Sequence, residues 1–349
     1  MNDRTRTRTS PSAADDQAAR KAFNAALTGL RPRVTMERDG LVLIALEAAR
    51  PPRTQGAPRY LRFDEAAAAG AVEIREIDSG AVPVVEAITK DKPVLIFAGD
   101  TIVGGKQNRF INVTIWLPAA KATQIPVTCL EAGRWDGGEA MRFGAGRKAD
   151  YALRSMVNIQ VGQQLRSAMA MGAPTGGAQA FAADQGAIWN EIGQRETRAG
   201  RSSATASLHD LYEEERGEAQ PLAAAFPCPT GATGLAVAVG GRIVALELFD
   251  NPATLAASWP RLVESAVSAH LDHARMVAVG LAQSRAHRHP DPEAIGRMID
   301  RASAALDGAA VGLSIGEGLD IRLASHRIAG SALVRKGHFI HAELFRVVA

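Results

Sequence analysis

Two short stretches carry the residue types that could do chemistry. The first is Gly99-Asp100-Thr101-Ile102-Val103-Gly104-Gly105-Lys106-Gln107-Asn108-Arg109, with Asn112 close behind. The second is Pro126-Val127-Thr128-Cys129-Leu130-Glu131-Ala132-Gly133-Arg134-Trp135. Amides supply both donors and acceptors, and a guanidinium supplies a planar five-donor fork. Gln107, Asn108, Arg109 and Asn112 therefore suit a phosphate, a carboxylate or a ribose better than an apolar ligand. Asp100 follows an apolar run and a glycine, where a carboxylate can act as a base or accept from a ribose hydroxyl. Glu131 is a second candidate acid/base, Arg134 a candidate anion clamp and Trp135 a candidate stacking surface. Each has a plainer alternative. Asn and Asp are turn formers, Glu131 and Arg134 can pair with each other, and Trp135 can be core. Cys129 is a nucleophile on one reading and an inert small hydrophobe on the other.

Other motifs carry less. A phosphate-binding loop needs G-x4-G-K-[ST], but an extra glycine precedes Lys106 and Gln107 replaces the hydroxyl. Gly312-Leu313-Ser314-Ile315-Gly316 fits G-x-S-x-G, yet an alternating strand pattern follows instead of a helix. His270 and His273 could share a helix face but lack a third ligand and any Cys-x-x-Cys. His338 and His341 lie three apart on an expected strand and so point to opposite faces. The residues call for no metal, and Mg²⁺ stays open as the one cofactor.

The elements that must position these groups follow from the pattern. Residues 1–18 are polar and aperiodic and read as a disordered tail. Short strands are expected at Val42–Leu46, Val72–Ile77, Val94–Phe97, Ile111–Leu117 and Gln124–Leu130, with short helices at Ala19–Leu30 and Phe63–Gly70. Tyr151–Met171 has helical spacing, and helices are expected again over Ala180–Arg198 and Ala204–Glu215. The Pro- and Gly-rich stretch 220–233 is the best internal boundary. Gly240-Gly241 between two apolar runs signals a two-residue hairpin. A long helix is expected from Ala253 to about Arg285, interrupted near Pro260, then one over Pro292–Ala305 and short closing strands. The fold class is α+β, because strands and helices come in runs. One domain, 19–349, has a β-rich part (19–150), a helical part (151–219) and a mixed α/β part (220–349).

Composition narrows the partners. The chain has 349 residues, a net charge of +3 and two cysteines. Two cysteines make no disulfide framework, no stretch has the length of a membrane span, and no secretory signal pattern opens the chain. A cytoplasmic protein is expected. Charges are mixed elsewhere, without a basic stripe, so nucleic acid is not an expected partner.

The two polar runs, with Trp189, Glu247-Leu248-Phe249-Asp250 and His341-Ala342-Glu343-Leu344-Phe345, resemble the ARG- and rhodanese/phosphatase-associated domain family, ARG being ADP-ribosylglycohydrolase. The resemblance covers residues 28–349 as one unit. Asp100 stands where that family suggests Glu, and Thr128 where it suggests Ser. The resemblance implies an association with ADP-ribose and NAD turnover, not a mechanism. The expected function is an enzyme acting on ADP-ribose, NAD-derived or related phosphorylated metabolites. Asp100 or Glu131 would be the acid/base, Arg109 and Arg134 would hold the anion, and Gln107, Asn108 and Asn112 would orient the substrate. A non-catalytic ADP-ribose-binding module and a structural, partner-binding protein are the alternatives.

Overall fold

The computed structural model describes residues 10–48, 57–77, 80, 82–135, 142–283 and 289–347. Among these residues the chain builds an antiparallel sheet, a closed barrel and a small three-stranded sheet, joined by helices. The large sheet has eight strands in the order β1 (Leu30–Arg38), β2 (Leu41–Ala48), β12 (Gly234–Val239), β13 (Arg242–Phe249), β17 (His338–Arg346), β16 (Ile328–Arg335), β15 (Leu319–Ala324) and β14 (Ala310–Leu313). The barrel runs β10 (Ala122–Cys129), β5 (Val84–Thr89), β4 (Val72–Arg75), β11 (Arg142–Lys148), β7 (Asp100–Gly104) and β8 (Arg109–Ile111), closing through the β8–β10 pair. The third sheet joins β3 (Leu61–Arg62), β6 (Val94–Ile96) and β9 (Ile115–Leu117). This is the expected α+β class, with a β-rich N-terminal half.

One of the helices between the two main bodies follows directly on the barrel. α3 (Tyr151–Ala170) starts on Asp150, whose side chain accepts from the Ala152 and Leu153 amides. Leu153, Val157, Val161 and Leu165 recur every four residues and pack into the barrel-side core. Arg154, Asn158 and Gly162 form a second stripe, turned toward the large sheet: Asn158 donates to Ser331 on β16, and Gly162 faces the stem of Arg322 on β15. A helix with two buried faces, one apolar and one polar, lacks the single apolar stripe of a surface helix.

Sequence patterns located most elements, with informative differences. The Gly240-Gly241 hairpin forms with φ +56° and +70°, the geometry of a two-residue turn with both central residues at positive φ. The long helix α7 (Pro252–Ala278) continues through Pro260, contrary to the expected interruption. Pro260 and Ala256, whose carbonyl loses its donor, both face solvent, so water can take the bond. The helix stops short of 285 because Gly280 turns left-handed at φ +75°. At the N-terminus, α1 (Ala13–Thr28) begins inside the expected tail, fixed by a Ser12–Asp15 capping box; residues 1–9 lie outside the described set. The expected strand 111–117 is two strands, β8 and β9. The edge strand β1 was not foreseen: Leu30, Val34 and Met36 do alternate with polar residues, but Pro32 interrupts the run, which stays largely exposed, as an edge strand can.

Candidate functional site

Asp100 ends a tight turn that the whole molecule holds in place. In Phe97-Ala98-Gly99-Asp100 the Asp100 amide donates to the Phe97 carbonyl, and Gly99 has φ +84°. That is the position of a type II turn that needs glycine. Asp100 Oδ2 accepts from the Phe97 amide at 3.1 Å, Thr114 Oγ1 from the Ala98 amide at 3.1 Å, and the Ala98 carbonyl from Lys148 Nζ at 2.9 Å. The Gly99 carbonyl accepts from Ala149. Gly99 has a second constraint. A Cβ there would lie 2.7 Å from Cδ of Arg154. Gly99→Ala is therefore expected to cost about 2–4 kcal/mol, from the left-handed backbone and the displaced arginine stem together. A urea unfolding series would read it as a lower midpoint at unchanged slope.

Around Asp100 lies a buried set of charges drawn from five elements. Asp100 Oδ1 is 3.8 Å from Lys148 Nζ on β11 and 3.2 Å from Arg261 Nη2 on α7. Lys148 Nζ is 3.4 Å from Glu247 Oε1 on β13. Arg154 Nη2 binds Glu247 at 2.7 Å and Glu343, on β17, at 2.5 Å. His341, also on β17, lies between Thr114 Oγ1 at 3.0 Å and Glu247 Oε1 at 3.2 Å. Three acids face three strong cations, so the burial is charge-balanced. The register explains the meeting of the acids: Glu247 pairs with Glu343, and Phe249 with His341, across β13 and β17.

These neighbours set the protonation states. Burial alone would raise the Glu247 carboxyl, but Arg154, then Lys148, hold it far below the ordinary range. Burial, and then Arg154, push the Lys148 ammonium down. Burial lowers His341 against the pull of Glu247. Neutral His341 then donates from Nε2 to Glu247 and accepts at Nδ1 from the Thr114 hydroxyl, whose lone pair already serves Ala98. Sequence reading missed Lys148, Arg154, Glu247, His341 and Glu343 as site residues.

The second polar run meets the first, at a different place from Asp100. β8 enters from Asn108 as β10 leaves toward Glu131, and the two run antiparallel with Arg109 opposite Cys129. Asn108 donates its amide to Glu131 Oε2 at 3.1 Å, and its Oδ1 accepts from Gly104 at 3.1 Å and from Arg134 at 3.3 Å. Arg134 also holds Glu131 at 2.7 Å and the Gly105 carbonyl at 2.8 Å. Arg109 pairs with buried Glu76 at 2.9 Å and donates to the Gln107 carbonyl at 3.3 Å and to that of Val82. Trp135, 45% exposed, covers Arg109 and Lys106. Thr205 donates to Glu131 at 2.7 Å, tying in the segment before α5 (Leu208–Glu214).

Asn108, Arg109, Glu131 and Arg134 thus engage one another and the fold. Burial would raise the Glu131 carboxyl, but the hydrogen bonds from Arg134, Thr205 and Asn108 bring it down. Glu131→Ala leaves those three donors without their acceptor and is expected to cost about 1–3 kcal/mol in thermal or urea unfolding. Asn112 stands apart, donating to the Phe181 carbonyl at 2.9 Å and accepting from Thr128 at 2.8 Å. Gln107 is buried. Cys129 is fully buried, and burial pushes its thiol up to about 11, which removes the thiolate a nucleophile needs. His341 is buried and His338 exposed, yet they do not take the expected opposite faces: the β16–β17 register shifts between Leu333 and Val334, Ile340 is left over, and pairing with Leu333 and Arg335 puts both histidines on one side of β17. No group of three His, Cys, Asp or Glu is arranged to hold a metal among the described residues.

An open cleft of about 490 Å³ has Arg261, the ion-pair partner of Asp100, in its lining, while Asp100 itself does not line it. Its walls are Asp64, Ala67 and Ala68 around α2 (Phe63–Ala68), Gly144-Ala145-Gly146-Arg147 of β11, and Arg261 and Glu264 of α7. The β11–β7 pairing shifts register between Ala145 and Lys148. Such bulges recur beside functional sites because they re-aim the strand. The freed Gly146 and Arg147 carbonyls accept from Arg261 at 2.9 and 3.3 Å. Arg147 pairs with Glu264 at 3.3 Å and lies over the Tyr212 ring.

Asp250, at the end of β13, has a separate consequence. Burial pushes its carboxyl up to about 6, against the hydrogen bond donated by Tyr60 at 2.8 Å. Between about pH 4 and 6 the folded form then holds more protons than the unfolded one, so this group's contribution is present at low pH and is lost as pH rises through 6. Asp250→Asn keeps an acceptor for Tyr60. Relative to wild type it should gain about 1–3 kcal/mol at pH 7.5 and little at pH 4, measured by urea unfolding at both.

A family model described as the ARG and Rhodanese-Phosphatase-superfamily-associated Protein domain, ARPP-1, matches residues 30–345. No curated protein and no solved structure matches the chain. Among the described residues no helix is long and apolar enough to cross a membrane.

Proposed function

We propose that this chain, which belongs to the ARG and Rhodanese-Phosphatase-superfamily-associated Protein domain family, is an enzyme that applies acid–base chemistry to a phosphorylated metabolite of the ADP-ribose or NAD-derived class, with Asp100 as its reacting carboxylate. One observation carries the reading: Asp100 sits between buried Lys148 and cleft-lining Arg261. Titratable groups gathered at the edge of a ligand-sized cleft are where acid–base function is sought first. Asp100 would move the proton, with Lys148 and Arg261 as its charged neighbours. ADP-ribose enters through the family's association, and the anion's partners are sought at the cleft, since Arg109 and Arg134 are engaged within the fold. Mg²⁺ stays open, and the cytoplasm is the proposed location, in keeping with two free cysteines.

A second reading has its own support. Asp100 is 1% exposed, which suits a module that senses the ligand without turning it over. Incubating the protein with ADP-ribose, NAD and an ADP-ribosylated peptide, with and without Mg²⁺, separates the two by mass spectrometry. A product made by wild type and not by Asp100→Asn supports the enzyme. Ligand-dependent stabilisation without product supports the sensor. Neither product nor stabilisation overturns both.

A further inference from the structure

We infer that the cleft between α2, β11 and α7 is the seat of a ligand that joins a flat ring to a phosphate, and that Arg261 takes the phosphate by giving up Asp100. This rests on the proposed function and adds the residue and ligand chemistry that link cleft to carboxylate.

The shape of the cleft comes first. Ala67 and Ala68 form part of one wall and Gly144, Ala145 and Gly146 part of another, so little projects between them. A volume of about 490 Å³ falls in the range of small-molecule sites. A Cβ built on Gly144 would come no nearer than 4.0 Å to any neighbour, the Val103 carbonyl, so the space over β11 is open. Flat walls of small residues admit a ring edge-on.

Charge comes next. Glu264 is paired with Arg147 and Asp64 with Arg62, so the two acids of the cleft are neutralised in place. Arg261 is held differently. Its Nη2 is shared among two carbonyls and Asp100, and its buried Nε has no partner. A phosphate offers a guanidinium paired, charge-assisted bonds that a shared Nη2 does not have. Asp100 would not be stranded by the exchange. It keeps the Phe97 amide on Oδ2 and Lys148 at 3.8 Å on Oδ1. Occupation of the cleft would thereby uncover the carboxylate that now lies behind the arginine.

Titration calorimetry with ADP-ribose, inorganic pyrophosphate and adenosine tests this, with unfolding midpoints confirming that each variant is folded. Arg261→Met should weaken ADP-ribose and pyrophosphate about tenfold or more and leave adenosine nearly unchanged. Gly144→Leu projects into open space, so it should fold, and should weaken ADP-ribose and adenosine by a similar factor. Should Arg261→Met fail to fold, Arg261→Lys keeps the charge but loses the fork, and is expected to weaken pyrophosphate severalfold. Wild-type affinity in Gly144→Leu would overturn the cleft as the site. Wild-type pyrophosphate affinity in both arginine variants would overturn the role of Arg261; in either case turnover through Asp100 would remain. Failure of wild type to bind any of the three, together with no turnover, would overturn inference and proposed function together.

Discussion

Arg154→Met is expected to destabilise the protein by about 3–5 kcal/mol, the range found when one partner of a buried ion pair is removed. Arg154 is fully buried, and its Nη2 alone serves Glu247 at 2.7 Å and Glu343 at 2.5 Å. Without it, two carboxylates remain in a water-poor seam with Lys148 and neutral His341 as their nearest relief. The cost arises from the stranded charge and not from lost packing, since Met fills much of the same volume. Arg154→Met combined with Glu343→Gln should therefore recover a substantial part of the loss. Urea unfolding of the two variants beside wild type would show it. Equal losses in both would mean that the arginine acts by shape alone.

Asp100→Asn should lower turnover by about 10²–10⁴, the usual contribution of a positioned acid or base. Asn keeps the oxygen that accepts from Phe97, so the turn at Gly99 survives, while the carboxylate that answers Lys148 and Arg261 is gone. The variant should fold and should still bind a ligand in the cleft. The effect should therefore fall on kcat and much less on KM. A loss confined to KM would make Asp100 a binding group.

Local pattern and tertiary convergence account for what the sequence did and did not disclose. Gly240-Gly241, the α3 periodicity and the polar runs around Asp100 and Glu131 are short-range signals, and each lies where its pattern puts it. The meeting of Asn108 and Arg109 with Glu131 and Arg134 depends on the antiparallel β8–β10 pairing, which the spacing allowed but did not require. The charges around Asp100 were hidden for a different reason. Glu247 and Glu343 each interrupt an apolar strand run, and Arg154 lies on a helix whose apolar stripe points elsewhere. Taken singly, each could be a solvent-facing residue. An acid flanked by Leu246 and Leu248, or by Ala342 and Leu344, in strands buried on both faces must find a cation inside the fold. That rule, applied to both strands and to Arg154, would have found the cluster from sequence. Arg261 and the cleft offered no such signal, because a bulge in β11 and the arrival of α7 create them together.

The most direct measurement compares single-turnover rates of Asp100→Asn and Glu131→Gln, at equal folded concentration, on whichever ADP-ribose-class compound wild type converts. If the chemistry lies at the buried cluster behind Arg261, Asp100→Asn loses about a hundredfold or more while Glu131→Gln stays close to wild type. A Glu131→Gln enzyme that is folded but inactive, beside an active Asp100→Asn, would place the chemistry in the Asn108–Glu131–Arg134 network and contradict this account.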